Sequence, residues 1–301
     1  MSGTTSFDLV SYVGAIREKV DAALDEYLKP EGAPPETLHR AMRYSVFSGG
    51  KRIRPVFCLA STAACGGSHE RAMPIACAIE LIHTYSLIHD DLPCMDDDDM
   101  RRGRPTSHKV FGEAVAVLAG DALLTYAMEV IVNEGGRLLG PETALAVAAD
   151  LTKAIGSGGM VAGQVKDMEC ENVEVDAATM EYIHRCKTGM LITASVRAGA
   201  LVAGADGALM EKLTTYGRKL GLAFQIVDDI LDEEGSFGDL KSGKGLDSEK
   251  GKATYPRVFG LEKSRAVAAG LVTEAKASIE GLGEGFAPLM ALADFVAGRS
   301  S

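Results

Sequence analysis

The chain has 301 residues, of which 47% are hydrophobic and 24% are charged, a balance typical of a soluble globular protein with a sizeable core. Its formal net charge of −11 argues against nucleic acid as a partner, because nucleic-acid binders present a basic face. No linker rich in proline, serine or charge interrupts the sequence, so we expect one domain over residues 1–301.

The cysteines and the N-terminus predict a cytoplasmic protein. None of the six cysteines forms a C-x-x-C pair or follows a metal-site spacing, which favours small core residues in a reducing compartment. The first twenty residues lack a basic region followed by an apolar run, so they do not predict a signal peptide.

Helical periodicity extends over nearly the whole chain, beginning with the stripe Val13, Ile16, Val20, Leu24 and Tyr27. Groups of glycine and proline separate the periodic segments, and strand-like alternation is almost absent. The pattern predicts an all-α fold of about ten or more helices.

The first unusual feature along the chain is an acidic run that ends an apolar, helix-like segment. Six aspartates lie between positions 90 and 99, and the first of them are Asp90, Asp91 and Asp96. The dipole of a helix opposes aspartates at its C-terminal end by roughly 0.3–1 kcal/mol. A bound cation would offset this repulsion.

The most apolar segment, Ala114 to Val132, approaches the length of a membrane span. Asp121 lies near its centre, where a carboxylate costs roughly 2.5–3.5 kcal/mol on membrane-insertion scales. We therefore predict a buried core helix and no transmembrane segment.

A second acidic cluster, Asp228, Asp229 and Asp232, follows another apolar helix-like segment. On a helix these carboxylates occupy neighbouring positions and repel by roughly 0.2–0.5 kcal/mol per pair. Mg²⁺ is the natural counter-ion, because proteins hold it with one or two carboxylates together with substrate phosphates. We therefore interpret the two clusters as two separate groups of metal-binding carboxylates.

Basic residues accompany both clusters. They are Lys51 and Arg54 within GGKRIRP, His83, Arg101 and Arg102, Lys187, and the lysines between 241 and 252. Acids that hold a metal together with cations that form charge-assisted hydrogen bonds suit polyphosphates. The separation of the two sets predicts two phosphorylated substrates.

Seven blocks in a fixed order carry a resemblance to a known family: GGKRIRP, ELIHTYSLIHDDLPCMDDDDMRRGRPTSH, VLAGDALL, GMVAGQVKDME, the triplet Lys187-Thr188-Gly189, FQIVDDILD and GKATYP. Nearly end to end, the chain resembles the short-chain trans-isoprenyl diphosphate synthases, which make farnesyl and geranylgeranyl diphosphate. The resemblance implies one isoprenoid-synthase-type helical bundle around a central substrate cavity, and a homodimer.

The resemblance also implies roles for individual residues. The metal ligands would be Asp90, Asp91, Asp96, Asp167, Asp228, Asp229 and Asp232, with three Mg²⁺ ions in the substrate complex and Mn²⁺ as an alternative. Arg101 and Lys187 would hold the allylic diphosphate, while Thr188 and Gln225 would face the developing carbocation. The remaining substrate contacts would be Lys51, Arg54, His83, Arg102, Gln164, Lys241, Lys244 and Lys252, with the choice between Lys241 and Lys244 open.

The implied reaction is the head-to-tail (1'-4) condensation of isopentenyl diphosphate with dimethylallyl, geranyl or possibly farnesyl diphosphate by ionisation, condensation and elimination. Tyr85 lies five residues before Asp90, and the family rule for an aromatic there predicts farnesyl diphosphate. The block PTSHKVFGEAVAVLAGDALL leaves geranylgeranyl diphosphate as the alternative. A terpene cyclase and a non-catalytic partner subunit are less favoured, because this chain keeps both aspartate clusters and the basic set.

Overall fold

Fifteen α-helices form the part of the chain that this computed structural model describes, residues 7–235 and 253–298. The first eight are α1 Leu9–Tyr27, α2 Glu36–Val46, α3 Ile53–Ala64, α4 His69–Asp90, α5 Ser107–Phe111, α6 Glu113–Val130, α7 Gly136–Leu139 and α8 Pro141–Ile155. The others are α9 Met160–Glu169, α10 Ala177–His184, α11 Met190–Ala203, α12 Gly207–Gly235, α13 Tyr255–Phe259, α14 Leu261–Ile279 and α15 Ala287–Ala297. The predicted all-α class is confirmed.

Short interruptions join these helices. Turns of π-helix, Ile131–Gly135 and Arg185–Gly189, precede α7 and α11, and a 3₁₀ turn, Glu284–Phe286, precedes α15. Within the described ranges, β structure is limited to the antiparallel pair β1 Met100–Arg101 and β2 Arg104–Pro105.

Local sequence signals set several helix starts. The side chains of Asp8, Ser68 and Asp176 each accept a hydrogen bond from a backbone N–H in the first turn of α1, α4 and α10. Pro141 stands in the first turn of α8, where its missing N–H leaves no intrahelical bond unmade. These boundaries are therefore encoded locally.

The centre of the bundle is built from α3, α4, α11 and α12. Phe57, Ile79 and Tyr216 are fully buried there, and the rings of Phe57 and Tyr216 meet edge to face with centroids 6.5 Å apart. Helices α3 and α11 approach closely because Gly199 has no Cβ. The acidic ends of α4 and α12 project from this core.

The apolar helix α6 is buried on one side only. Ala116, Ala119 and Leu123 are fully buried, whereas Leu118 is 58% exposed. The segment Glu113–Leu139 is long and apolar enough to cross a membrane by length and composition, a criterion that a core helix of a soluble protein also meets. The predicted core helix is therefore buried on its inner face and exposed on its outer face.

The close approach of α3 and α11 yields a stability prediction. A Cβ on Gly199 would overlap the Cys58 carbonyl oxygen, so Gly199→Ala should lower the free energy of unfolding by about 1–3 kcal/mol. In α14, a Cβ on Gly270 would meet no described atom within 4 Å. Gly270→Ala should therefore leave stability unchanged or raise it by up to about 1 kcal/mol. Equal urea midpoints for the two variants would contradict the packing argument.

Candidate active site

The first acidic cluster lies where α4 ends and the chain turns into the β1–β2 hairpin. The backbone N–H of Asp96 donates to the carbonyl oxygen of Asp90 at 2.8 Å, and that of Asp98 donates to Asp91 at 3.2 Å. These bonds fold the loop back onto the last turn of α4. The backbone thereby holds Asp90, Asp91 and Asp96 beside one another.

The environment of this cluster disfavours its own negative charge. Burial, followed by the repulsion of Asp96 and Asp91, raises the pKa of Asp90 to about 6, although Lys187 and Arg101 oppose the shift. Burial also raises the pKa of Asp91, against a bond from Arg101 Nε to Asp91 Oδ1 at 2.6 Å. Arg101 is therefore bound to the first cluster, and its predicted role in holding the allylic diphosphate stays a prediction.

Lys187 lies against the first cluster from the π-helical turn Arg185–Gly189. Its Nζ donates to Asp167 Oδ2 at 2.6 Å. Burial alone would lower the pKa of Lys187, but Asp167, Asp90 and Asp96 raise it above the ordinary lysine value. The structure thus brings together four of the predicted site residues from three separate segments.

A close backbone contact positions this lysine. A Cβ on Gly163 in α9 would overlap the backbone nitrogen of Lys187, so α9 and the π-helical turn touch main chain to main chain. Gln164, the next residue, is buried, and its Nε2 finds no hydrogen-bond partner in the described chain. Gln164 and Asp167 stand one turn apart on α9.

The second acidic cluster lies near the C-terminal end of α12, and Asp229 is its buried member, 5% exposed. Its Oδ1 accepts from Gln225 Nε2 at 3.0 Å, and its Oδ2 accepts from the Tyr255 backbone N–H at 2.8 Å. Gln225 Oε1 in turn accepts from Thr188 Oγ1 at 2.6 Å. Asp228 and Asp232 are partly exposed on the same helix.

His184 completes the support of Asp229 and was not predicted from the sequence. Its Nε2 lies 3.1 Å from Asp229 Oδ2, and its ring stacks on Tyr255 at a centroid distance of 5.8 Å. His184 stands one helical turn before Lys187, and Tyr255 belongs to the GKATYP block. Those two positions were the available signals, but neither indicates by itself a contact with α12.

The predicted basic residues meet only in part. Arg54 Nη1 lies 3.1 Å from His83 Nε2. Burial, with Arg54, Arg102 and Arg101, holds the pKa of His83 well below its usual value, so its neutral ring accepts from Arg54. Arg102 donates to the Gly49 carbonyl oxygen. The guanidinium of Arg102 fills the space at Gly50, where a Cβ would lie 2.7 Å from its Nη1.

Lys51 is separate from this basic cluster. Its side chain is exposed, and its Nζ lies over the Phe295 ring at 5.3 Å. The adjacent Arg52 is instead buried in the left-handed region, with φ 50°. Arg52 is not among the residues predicted to bind substrate.

Arg52 anchors the loop that carries the basic residues. It donates to Glu80 Oε1 at 2.8 Å, to Asp21 Oδ1 at 2.7 Å and to the Val46 carbonyl oxygen at 2.6 Å. This buried ion pair fixes the start of α3, where Arg54 projects toward His83. Lys241, Lys244 and Lys252 lie outside the described residues, so the predictions for them stay predictions.

Tyr85 is the residue predicted to stop the growing product chain, and we call it the product floor. It is buried one turn before the first cluster, 6% exposed. Its ring meets His89 edge to face at a centroid distance of 5.8 Å. Burial, with a smaller contribution from Asp90, raises the pKa of the Tyr85 phenol to about 12. An apolar chain that follows α4 down from Asp90 would therefore meet an uncharged aromatic ring.

The donor set fits Mg²⁺. Both clusters offer carboxylate oxygens, the ligand type that hard divalent ions prefer. The raised pKa of Asp90 indicates that its negative charge is incompletely neutralised by the protein itself. Asp90, Asp91 and Asp96 on one side and Asp228, Asp229 and Asp232 on the other would hold the ions.

Asp97 and Asp99 occupy a separate position on the loop. Their carboxylate oxygens and a ring nitrogen of His108 lie within 4.8 Å of one another, but both aspartates are exposed. Lys109 pairs with Asp99 at 2.7 Å. These acids are distinct from the buried cluster at Asp90 and Asp91.

Comparisons with known proteins show the family of the chain. Residues 35–280 match the polyprenyl synthetase family model. The chain is 48% identical to a chloroplastic geranylgeranyl pyrophosphate synthase from Capsicum annuum, with 98% of this chain and 80% of that protein covered. It is 46% identical to a dimethylallyltranstransferase from Fischerella ambigua, with 98% and 85% covered.

A solved structure shows the same fold. The crystal structure of an FPP/GFPP synthase from Zymomonas mobilis, in its apo form, superposes with a TM-score of 0.86 at 36% sequence identity. The match covers 97% of this chain and 99% of that one. The resemblance drawn from the seven sequence blocks is confirmed.

The negative charge on Asp90 is expected to lower the stability of the folded protein although the reaction requires it. Its folded pKa of about 6 exceeds the ordinary value of 3.8, so folding resists its ionisation, and its effect on stability turns unfavourable as pH rises between those values. In EDTA at pH 7.5, Asp90→Asn should raise the free energy of unfolding by up to about 3 kcal/mol. In a separate assay with Mg²⁺, the same variant should show no activity.

The pH dependence supplies the check. Urea unfolding of Asp90→Asn and wild type should converge as the pH falls below about 3, where Asp90 is protonated in both states. Asp97→Asn, at an exposed carboxylate of the same loop, is the matched control and should show no such pH-dependent gain. A destabilised Asp90→Asn at pH 7.5 would contradict the assignment.

Proposed function

The chain belongs to the polyprenyl synthetase family, and we propose that its two acidic clusters and its basic cluster bind the two diphosphates that this family condenses. It is a prenyltransferase that joins isopentenyl diphosphate head to tail to an allylic diphosphate. The observation that carries the proposal is the continuous set of contacts from Asp90 through Lys187 and Thr188 to Asp229.

The acidic side of the site takes the allylic diphosphate, which is dimethylallyl, geranyl or farnesyl diphosphate. Bound Mg²⁺ would stabilise the negative charge on the departing diphosphate. Arg101, held by Asp91, and Lys187, held by Asp167, place cations at the edges of the same cluster. Both cations are preorganised by their carboxylate partners, so little reorganisation opposes bond breaking.

The basic cluster takes isopentenyl diphosphate. Burial, Arg54 and Arg102 lower the pKa of His83, and a diphosphate bound between these groups would offset the repulsion among their positive charges. Lys51 lies over Phe295 without substrate, so its binding role requires the side chain to leave the ring. We expect the long lysine stem to make that movement.

The new carbon–carbon bond forms between the hydrocarbon parts of the two bound substrates. The allylic C–O bond breaks with its electron pair leaving on diphosphate, and the isopentenyl double bond attacks the resulting cation. A proton then leaves the new product, with the released diphosphate as the acceptor. The Thr188 hydroxyl donates a hydrogen bond to Gln225, so the lone pairs of the Thr188 oxygen remain available to stabilise the cation.

For product length we propose geranylgeranyl diphosphate, the alternative among the sequence-based predictions. A relative 48% identical over nearly the whole chain is named a geranylgeranyl pyrophosphate synthase, and the prediction of farnesyl diphosphate is not confirmed. One observation favours farnesyl diphosphate as the second candidate: the buried ring of Tyr85 stands one turn below Asp90. A product of twenty carbons requires a floor deeper than Tyr85.

We also propose that residues 1–301 act as one domain in a homodimer that pairs through α6. Val117 and Leu118 in α6 and Val132 in the following π-helical turn are 40%, 58% and 65% exposed, a row of apolar side chains that a second copy would cover. Location in the cytoplasm stays a prediction.

Product analysis tests the reaction and the floor together. Purified protein with Mg²⁺ and isopentenyl diphosphate should convert geranyl and farnesyl diphosphate to a twenty-carbon product, resolved by chromatography, and EDTA should abolish conversion. If Tyr85 forms the floor instead, wild type stops at fifteen carbons and Tyr85→Ala extends the product.

The control for this assay is Tyr44→Ala, which removes another aromatic ring, packed against Phe111 near the hairpin. It should not change product length. Absence of condensation with every primer would overturn the proposed function, and a twenty-carbon wild-type product unchanged by Tyr85→Ala would remove Tyr85 from the floor.

The dimer prediction concerns the exposed row on α6. Leu118→Glu places a charge in the proposed apolar contact and should convert the dimer to monomer at micromolar concentration, measured by sedimentation equilibrium. Leu145→Glu, at a residue 71% exposed on α8, is the control and should leave the dimer intact. A monomeric wild type, or dissociation by both substitutions, would contradict the placement of the interface.

A further inference from the structure

A second basic cavity lies behind the catalytic π-helical turn, between α8, the N-terminal part of α11 and α12. Its volume is about 670 Å³, within the usual range for small-molecule sites. The polar residues that define this rear cavity are Asp150, Lys153, Arg185, Arg197, Thr214 and Arg218. None of them belongs to the site described above.

The rear cavity concentrates positive charge in an acidic protein. It is lined by four cations and one carboxylate, whereas the whole chain has a net charge of −11. Asp150 forms an ion pair with Arg197, whose Nε donates a hydrogen bond to the Asp150 carboxylate at 2.8 Å. Arg197 Nη1 donates a second hydrogen bond to Thr214 Oγ1 at 2.7 Å. These two bonds hold the guanidinium in place at the wall.

Among the described residues, the other three cations have no carboxylate partner. Lys153 and Arg218 form no ion pair with any described residue, and the Arg185 guanidinium lies over the Tyr182 ring at 5.5 Å. Three positive charges around one cavity repel one another, and an anion between them would remove that repulsion. Arginine forks bind phosphate oxygens through paired hydrogen bonds, which favours a phosphate-bearing ligand.

The wall of the rear cavity is the same turn of helix that serves the reaction. Cys186, Gly189 and Met190 line the cavity, whereas Lys187 and Thr188 between them contact Asp167 and Gln225. The backbone of Gly189 also touches α12, where a Cβ on Gly221 would lie 2.8 Å from the Gly189 Cα. A ligand in the rear cavity would therefore bind one helical turn away from the reacting groups.

We propose that the rear cavity is a second anion site that binds a diphosphate group. Diphosphate is the anion that the reaction of this family releases and that every substrate carries, so it is present wherever the enzyme works. Its charge of about −3 near neutral pH matches the three unpaired cations. The site differs from the reaction site in using cations alone, with no acidic cluster and no requirement for Mg²⁺.

Calorimetric titration with inorganic diphosphate in EDTA tests the proposal. Without metal, wild type should bind two equivalents, one at Arg54 and His83 and one in the rear cavity. Arg54→Ala should keep only the second. Adding Lys153→Ala and Arg218→Ala to Arg54→Ala should weaken the remaining binding about tenfold or more, the contribution of one charge-assisted hydrogen bond.

The matched control removes the same charge elsewhere. Arg17 and Lys19 are exposed on α1, and Arg17→Ala with Lys19→Ala in the Arg54→Ala background should weaken binding less than about twofold at 0.15 M salt. Equal weakening by both pairs would reduce the cavity to a solvated basic face and overturn the proposal. So would a wild type with a single equivalent that Arg54→Ala removes.

A second titration distinguishes the source of the diphosphate. Geranyl diphosphate in place of inorganic diphosphate, again with the Arg54→Ala variant in EDTA, should bind with the same stoichiometry if the rear cavity recognises the diphosphate group. Tighter binding of geranyl diphosphate would indicate an organic diphosphate, with the chain against Ala154, Met190 and Ala194, and equal affinity the free anion. Failure of both ligands to bind would overturn the site without touching the proposed condensation.

Discussion

The crowding of carboxylates at the ends of two buried helices is the constraint on which the rest of this structure depends. Asp90 and Asp91 end α4, Asp229 lies near the end of α12, and both places oppose negative charge by burial and by the helix dipole. At the first cluster, burial and the neighbouring carboxylates of Asp96 and Asp91 raise the pKa of Asp90 to about 6. The neighbouring cations and amide groups stabilise the carboxylates. They do not neutralise all of the negative charge, and the remainder favours the binding of metal ions together with substrate.

One turn of π-helix connects the two acidic clusters. Lys187 contacts the first cluster and Asp167, and its neighbour Thr188 contacts Gln225 and through it Asp229. The wider turn of a π-helix, frequent at functional sites, presents adjacent side chains to different partners. Gly163 and Gly221 let α9 and α12 touch this turn through their backbones, so small residues at these positions set the spacing of the site.

Stability and activity make opposite demands in this bundle. The core of α3, α4, α11 and α12 is mainly apolar and closely packed, whereas the loop before α3 keeps a buried ion pair, Arg52 with Glu80, and a left-handed backbone conformation at Arg52. Such groups persist where the surrounding structure supports them. Here they fix the start of α3, from which Arg54 contacts His83.

The sequence by itself determined the helical class, the two acidic clusters and the family, because periodicity and short motifs are local and their residues lie within a few turns of one another. It also placed Lys187 with the first cluster through the family resemblance. Only the tertiary structure decided that His184 and Tyr255 support Asp229, that Lys51 lies apart over Phe295, and that α6 leaves one face uncovered. These contacts depend on which segments, distant along the chain, pack against each other. The spacing of hydrophobic residues indicates which face of a helix is buried, but it does not identify the helix that packs against that face.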